Sequence, residues 1–468
     1  MQMPLDLEIQ YEDNSKEKFH VPNTYFVKET DAMVLEKWTG WDEWNTTYSF
    51  ETNSQKKIKN VVIDPSKRLA DVYRLDNSKK TPINFQYSTY RKPFLDYEKY
   101  QMRWNPNIWY NSIDGIKIGF DVFGNYFGSK HKIDATVWYN SEIGADQNKE
   151  STSLLSYVAE YENRVGYLTD LSIESRLLDG LMFQKVGISK DYKKSNLNVY
   201  AKSLYRNTTR DLDYLIFPQF WRADKWNNSL NLEWIKRFRV EMGNSTLKVS
   251  TRSSYLLSDY NFAWLRAEIN RNLAINKFDL RLRGFAQYGT GDFAPESQLM
   301  LSGANMEDMM DNPWVRSVGF VPNSLSIFSN TFNNFHHGGG LNLRGFSGYE
   351  AVSETDGDIY YIYTANSGAS INAEFDFAKA IGFSNLGRRV RNNIYVFTDA
   401  GLLQNSVGGS SLRADAGVGY LMTYNFLKFN HIKPIRIRID FPFFVNRIPQ
   451  HESQYVDFRY IIGLNKAF

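Results

Sequence analysis

The chain has 468 residues, 55 Lys and Arg against 52 Asp and Glu, 16% aromatic residues and no cysteine. A net charge of +3, spread along the chain, gives no argument for nucleic-acid binding, and the absence of thiols excludes disulfides, thiolate metal sites and a cysteine nucleophile. No stretch approaches the roughly 20 apolar residues that a membrane-spanning helix needs. A β-barrel is still open to this composition, because its lipid-facing residues alternate with polar ones and escape a hydropathy scan.

The start, MQMPLDLEIQ, has no basic segment followed by an apolar one, so it does not read as a signal peptide. The expectation is that this is the C-terminal part of a longer precursor, or a fragment. Leu5–Gln10 and Lys18–Val21 alternate apolar and polar residues around Asp13-Asn14-Ser15, a β-hairpin pattern. With Thr47–Thr52 and Ile58–Ile63 they predict a small β-sandwich over residues 1–82. The polar run Asp76–Pro82 and residues 83–98 read as a linker.

From Tyr100 a hairpin rhythm begins and predicts a barrel over residues 99–468. Eleven strands are expected between residues 100 and 289, and five more at 361–377, 392–401, 412–424, 435–445 and 456–468. In the fifteenth, Ile435, Ile437, Ile439, Phe441 and Phe443 share one face, while Arg436, Arg438 and Asp440 share the other. In the fourteenth, Leu412, Ala414, Ala416, Val418, Tyr420 and Met422 oppose Arg413 and Asp415. In the last, Val456, Phe458, Tyr460, Ile462, Leu464 and Phe468 fall together. If the first strand runs outward, the short connections alternate with longer ones, the longest being 290–360, which suits periplasmic turns and extracellular loops. The expected fold is all-β: a sixteen-stranded antiparallel transmembrane barrel preceded by a small β-sandwich. Trp104, Trp109, Tyr110, Trp138 and Tyr139 lie near strand ends and read as an interfacial girdle.

Within the long loop, Leu343-Arg344-Gly345-Phe346 resembles the [VL]RG[FY] motif of the BamA-type outer-membrane surface antigen superfamily. Leu282-Arg283-Gly284-Phe285 has the same letters but sits inside a strand pattern and is read as coincidence. Asn372-Ala373-Glu374-Phe375, Val396–Gly401 and Ala416–Tyr420 resemble that family's later strands. The resemblance implies a loop folded into the lumen, with Glu374 and Asp399 as partners of Arg344. It also implies that Phe468 is the C-terminal signal read by the barrel assembly machinery. An unpaired guanidinium away from bulk water is costly, so a carboxylate lock is expected; an Arg344 simply solvated in a wet lumen is the alternative.

MPLDLEIQYEDNSKEKFHVP, the Trp38, Trp41 and Trp44 stretch, and IKNVVIDPSKRLADVYRLDNS resemble the β-sandwich that follows the catalytic domain of aminopeptidase N-type metallopeptidases. This implies a fusion with a zinc aminopeptidase-like region upstream. The chain itself lacks HExxH: His451-Glu452 has Tyr455 where the second histidine would stand. Gly303–Glu307 is a scrambled version of that family's substrate motif, and His336-His337 have no carboxylate at ligand spacing. No catalytic residues, metal or cofactors are expected. The function expected is an outer-membrane barrel of a Gram-negative bacterium anchoring an aminopeptidase-like periplasmic region. The alternative is a BamA-type translocation or assembly pore. Expected partners are outer-membrane lipid, the assembly machinery, and peptide or protein clients.

Overall fold

The computed structural model describes residues 3–468 except 23–28, 40–44, 89–94, 128–129, 149–152, 208, 216–217, 256, 313–315, 318–334, 348–351, 356–357, 362, 388, 405–410, 426–433, 448–454, 457–458 and 465–466. It divides into two compact units, residues 1–105 with 122–133, and residues 106–121 with 134–468.

In the first unit, β1 (Leu5–Tyr11), β2 (Lys16–Val21), β3 (Met33–Val34) and β4 (Ile58–Ile63) form one sheet in the order β3-β2-β1-β4. The hairpin turns as its sequence requires. Asp13 accepts the Ser15 backbone N–H at 2.9 Å, and Asn14 takes a left-handed φ of 63°. Alternation puts Leu7, Ile9, Tyr11, Phe19 and Val21 on one face, where they form a buried apolar cluster.

The expected strand Thr47–Thr52 joins no ladder. Its Tyr48 and Phe50 instead cover the apolar face, with Phe50 and Phe19 ring centroids 5.0 Å apart. One sheet under an extended cover thus replaces the second sheet of the expected sandwich. The segment read as linker is also structured. Ser78 bridges to Val62, and β5 (Ile83–Tyr87) runs parallel to β6 (Tyr100–Asn111), pairing Ile83 with Tyr100. Tyr73 and Leu75 pack on Tyr100 and Tyr126, and the Tyr126 hydroxyl accepts the Arg74 backbone N–H at 2.9 Å. Asp64, the acid of the quoted IDP, accepts from the backbone N–H groups of Arg68 and Leu69 at 3.1 and 2.8 Å.

Among the described residues, fifteen of the strands that follow β6 build the barrel wall: β7 (Gly115–Tyr126), β8 (Lys130–Asn140), β9 (Leu155–Gly166), β10 (Thr169–Leu178), β11 (Leu181–Asp191), β12 (Ser195–Tyr205), β13 (Asn227–Val240), β14 (Gly243–Ser254), β15 (Asn261–Ile275), β16 (Phe278–Asp292), β17 (Ser367–Asp376), β18 (Val390–Gln404), β19 (Ser411–Tyr424), β20 (Ile435–Val445) and β21 (Ile461–Gly463). The two-residue strand Asn385–Leu386 also pairs beside β18, and in the long loop Leu299–Met300 pairs with Thr364–Ala365 and Val352–Thr355 with Asp358–Tyr361. Strands β6–β21 belong to a closed barrel, with β5 as an additional strand beside β6.

In the second unit, the wall faces polar side inward. Arg252, Arg281, Arg283, Glu374, Asp399, Asp415, Arg438 and Asp440 are buried, whereas Leu230, Leu265, Ile269, Ile371, Leu402 and Leu412 are exposed. That inversion is what hydrocarbon outside a closed sheet demands.

Three sequence expectations need amendment at the strands. Trp138 is buried, and its Nε1 donates to Asn107 at 2.9 Å, while Tyr139 is half exposed. Successive strand residues face opposite ways, so 138 and 139 cannot both join a girdle. The hairpin rhythm of the sequence places a short turn at Asn163–Val165, whereas the chain turns at Tyr167-Leu168, with Leu168 at φ 51°. Among the described residues the last strand pairs over Ile461–Gly463, opposite Arg438–Asp440, with an isolated bridge between Val456 and Phe444; Phe458 and the residues at 465–466 lie outside the described residues.

Candidate functional site

The motif of the long loop enters the barrel as a single 3-10 turn, Arg344–Phe346. Leu343 and Phe346 are fully buried in an apolar cluster with Leu299, Leu301 and Leu341 of the loop, and with Phe285, Leu403 and Val445 of the wall. The Leu343 N–H donates to the Leu301 carbonyl at 3.0 Å, tying two parts of the loop together. Gly345 is required for space: a Cβ there would lie 2.6 Å from the Cβ of Asp415.

Arg344 sits between these two apolar anchors with no exposed surface. Its Nε donates to Asp399 Oδ2 at 2.8 Å, its Nη1 to Glu374 Oε1 at 2.7 Å, and its Nη2 to Asp399 Oδ1 at 3.3 Å. The guanidinium lies 4.3 Å from the centroid of the Phe397 ring. Both residues named from sequence as partners therefore contact Arg344. The strand ladders explain why: Asn372 pairs with Asp399, and Glu374 with Phe397, so both carboxylates rise from neighbouring inward positions.

Two participants were not singled out from sequence. Asp415 stands directly opposite Asp399 in the β18–β19 ladder, and Asp440 lies 3.7 Å from Arg344 Nη1. Their inward parity was readable, but nothing in the sequence joined them to the motif. Further cations balance the group. Arg281 pairs with Glu374 at 2.7 Å, and Arg438 pairs with Asp440, which also accepts from Tyr395 at 2.6 Å. Burying charges without such partners would be prohibitive.

The terminal Phe468 is placed differently from expectation. Row parity sends it toward lipid with Val456 and Tyr460, yet its ring lies 5.8 Å from the Arg344 guanidinium. Among the described residues the ladder ends at Gly463, so ladder pairing does not fix the side on which Phe468 lies.

Other described parts of the loop are held by similar means. Glu307 pairs with Arg252 at 2.8 Å and with Lys202, and accepts from Ser297 Oγ at 2.6 Å. Gly303–Glu307, scrambled as a substrate motif, caps a short helix: the Asn305 side chain accepts the Asp308 N–H at 2.8 Å. Met306 and Met310 pack with Leu181, Phe183, Leu204, Leu215, Phe220 and Trp221. Lys117 is buried between Asp114 and Asp179, at 2.6 and 2.9 Å, and Asp179 also receives Arg316 of the loop at 2.9 Å. His336 contacts the Ser302 carbonyl at 3.0 Å and Arg438, and His337 contacts Asn312 at 3.3 Å. These histidines pack the loop, and among the described residues no three His, Asp or Glu side chains gather as metal ligands. His451 and Glu452 lie outside the described residues, as do Trp41 and Trp44. The second motif copy, residues 282–285, is part of β16, as its pattern implied.

No family model matches the sequence, and no curated protein matches it. Among solved structures, the chain is similar to BamA from Haemophilus ducreyi lacking POTRA domains 1–3, at 11% identity and a TM-score of 0.35 over 78% of this chain and 70% of that one. It is similar to OpdQ of Pseudomonas aeruginosa at 8% identity and a TM-score of 0.33, over 69% and 74%. It is also similar to OccD1 (OprD) at 7% identity and a TM-score of 0.36, over 80% and 95%.

Proposed function

We propose that the chain is a plugged outer-membrane barrel that anchors its N-terminal region at the periplasmic face, with Arg344, Glu374 and Asp399 locking the long loop in the lumen. The observation that carries this reading is the loop's triple attachment: the Arg344 carboxylate group, the Glu307 ion pairs and the Asp179 cluster each join loop to inner wall through buried charges. A gate would be expected to break few such contacts; each of these would leave an uncompensated charge on opening. Strand parity supports the orientation, since the near ends of β9–β16 are joined by two- or three-residue turns and the far ends by longer loops on average. Residues 1–99 then lie on the short-turn, periplasmic side.

The resemblance of the first 75 residues extends this reading to an aminopeptidase-like region upstream, which the encoding reading frame would contain as an HExxH segment. Planar-bilayer recording tests the anchor. The wild-type barrel should be electrically silent, and a stable open conductance would overturn the plugged reading.

A second reading is a BamA-type translocation or assembly role, favoured by the LRGF turn and its carboxylate partners. It requires the loop to leave the lumen. A loop-to-wall disulfide between Leu343→Cys and Leu403→Cys variants, whose parent side chains share one buried cluster, should abolish a translocation function and leave an anchoring one intact.

A further inference from the structure

The outward wall carries a depression that the loop lock does not use. Ala267 pairs with Ala286 and Ala286 with Ala369, so three alanines lie side by side across β15, β16 and β17. Gly284 lies in the next row, between Ile269 and Ile371. Larger side chains border this floor, with Leu247 on one side and Leu402 and Leu412 on the other. The result is a concavity of about 510 Å³ in a wall whose neighbouring surface is ridged by Ile371 and Leu412, 67% and 56% exposed.

One end of this depression is basic. Arg271, on the outward face of β15, is four residues from Ala267 toward the short turns, about 13 Å along the strand. Lys236 is outward on β13, because it pairs with Leu247, which pairs with Ile269. It therefore lies in the row of Ile269 and Gly284, roughly 10 Å to the side. Both side chains are exposed, and neither has an ion-pair partner among the described residues. At the opposite end, the outward positions of the same strands are Thr251, Ser253, Ala263, Tyr288 and Thr290, with no basic residue. Long cationic side chains at the edge of an apolar band reach the headgroup layer while their stems stay in hydrocarbon.

We propose that this depression is a binding site for an anionic glycerophospholipid of the periplasmic leaflet, its acyl chain lying over Ala267, Ala286 and Ala369 and its phosphate held by Lys236 and Arg271. The small residues make room for a chain where a convex wall would shed it, and the charge at one end alone sets its direction. The proposal rests on the membrane reading given above, and the chain's lack of cysteine allows the two to be tested apart.

Leu412→Cys, at the rim, and Ile188→Cys, an exposed outward position on β11, would each carry a bimane label. The labelled proteins would be reconstituted in dioleoyl phosphatidylcholine vesicles holding brominated phosphatidylglycerol or brominated phosphatidylcholine as the minor lipid. At position 188 either brominated lipid should quench, which reports hydrocarbon contact whatever the headgroup. At position 412 the phosphatidylglycerol probe should quench about five- to thirtyfold more effectively per mole, as expected for attraction by one or two basic side chains. The preference should vanish in K236Q/R271Q. It should vanish also in A286F, which fills the floor and leaves both charges in place.

A ratio near one at 412, or a preference that survives either variant, would overturn the lipid site while quenching at 188 still upheld the membrane wall. No quenching at either position would overturn the membrane reading and the site with it.

Discussion

The N-terminal sheet and the barrel solve opposite problems with the same alternation. In the sheet, Leu7, Ile9, Tyr11, Phe19 and Val21 turn inward, and ion pairs such as Lys56–Asp13, at 2.9 Å, stay at the surface. In the barrel, Leu265, Ile269 and Ile371 turn outward, and Arg344 is buried against Asp399 and Glu374. The same pair type is therefore marginal in one region and essential in the other. Water screens the first, whereas a desolvated guanidinium has no substitute for its carboxylates. Apolar residues reverse in the same way, since burial in the sheet draws on the hydrophobic effect and exposure in the barrel is met by lipid.

Breaking the contrast at its strongest point means Arg344→Ala. Removing the cation leaves Asp399 and Glu374 facing one another in the lumen and should cost about 3–5 kcal/mol. Heat-modified gel mobility would show it as a lowered unfolding temperature; an unchanged midpoint would sink the lock. Phe19→Ala tests the other side. It should cost about 3–4 kcal/mol of the N-terminal sheet by opening a cavity, read as faster proteolysis of residues 1–82 with barrel mobility unaltered. Loss of both together would show that the two regions fold as one.

The pH dependence of the loop sharpens the comparison. Burial, with the nearby Glu307 adding to it, pushes Glu296 up from 4.5 to about 7. The folded loop therefore holds a proton that the unfolded chain gives up within this window. Its stabilising effect is complete below pH 4.5 and declines as pH rises to about 7, by about 3 kcal/mol in all. Barrel melting followed from pH 4 to 8 should show this fall, and Glu296→Gln should flatten it; an unaltered slope in that variant would assign the effect elsewhere. The smallest effect belongs to Lys56→Ala. Its pair with Asp13 is half exposed, so no measurable shift of the sheet's melting is expected, at low or high salt.

Much of this was legible in the residues. Ile435, Ile437 and Ile439 alternating with Arg436, Arg438 and Asp440 could fit only a two-faced sheet, and the all-β barrel follows from that rhythm, though its strand count does not, since Ile83–Tyr87 joins the wall. Arg344 was readable because a cation between Leu343 and Phe346 needs an acid wherever the loop docks. Asp415 was not, since its proximity to Gly345 depends on the register of β18 against β19 and on how deep the loop reaches. The cover provided by Tyr48 and Phe50, and the parallel strand at Ile83–Tyr87, escaped for the same kind of reason. An extended segment carries one pattern whether or not it finds a ladder.

Alternation, which is local chemistry repeated every second residue, is what the sequence by itself determined: fold class, the two faces and the inward acids. Only the tertiary structure decided which inward acids meet Arg344, where Phe468 ends, and that small residues on β15, β16 and β17 align into a hollow. Register between strands distant in the chain sets all three, and register is a property of the assembled sheet.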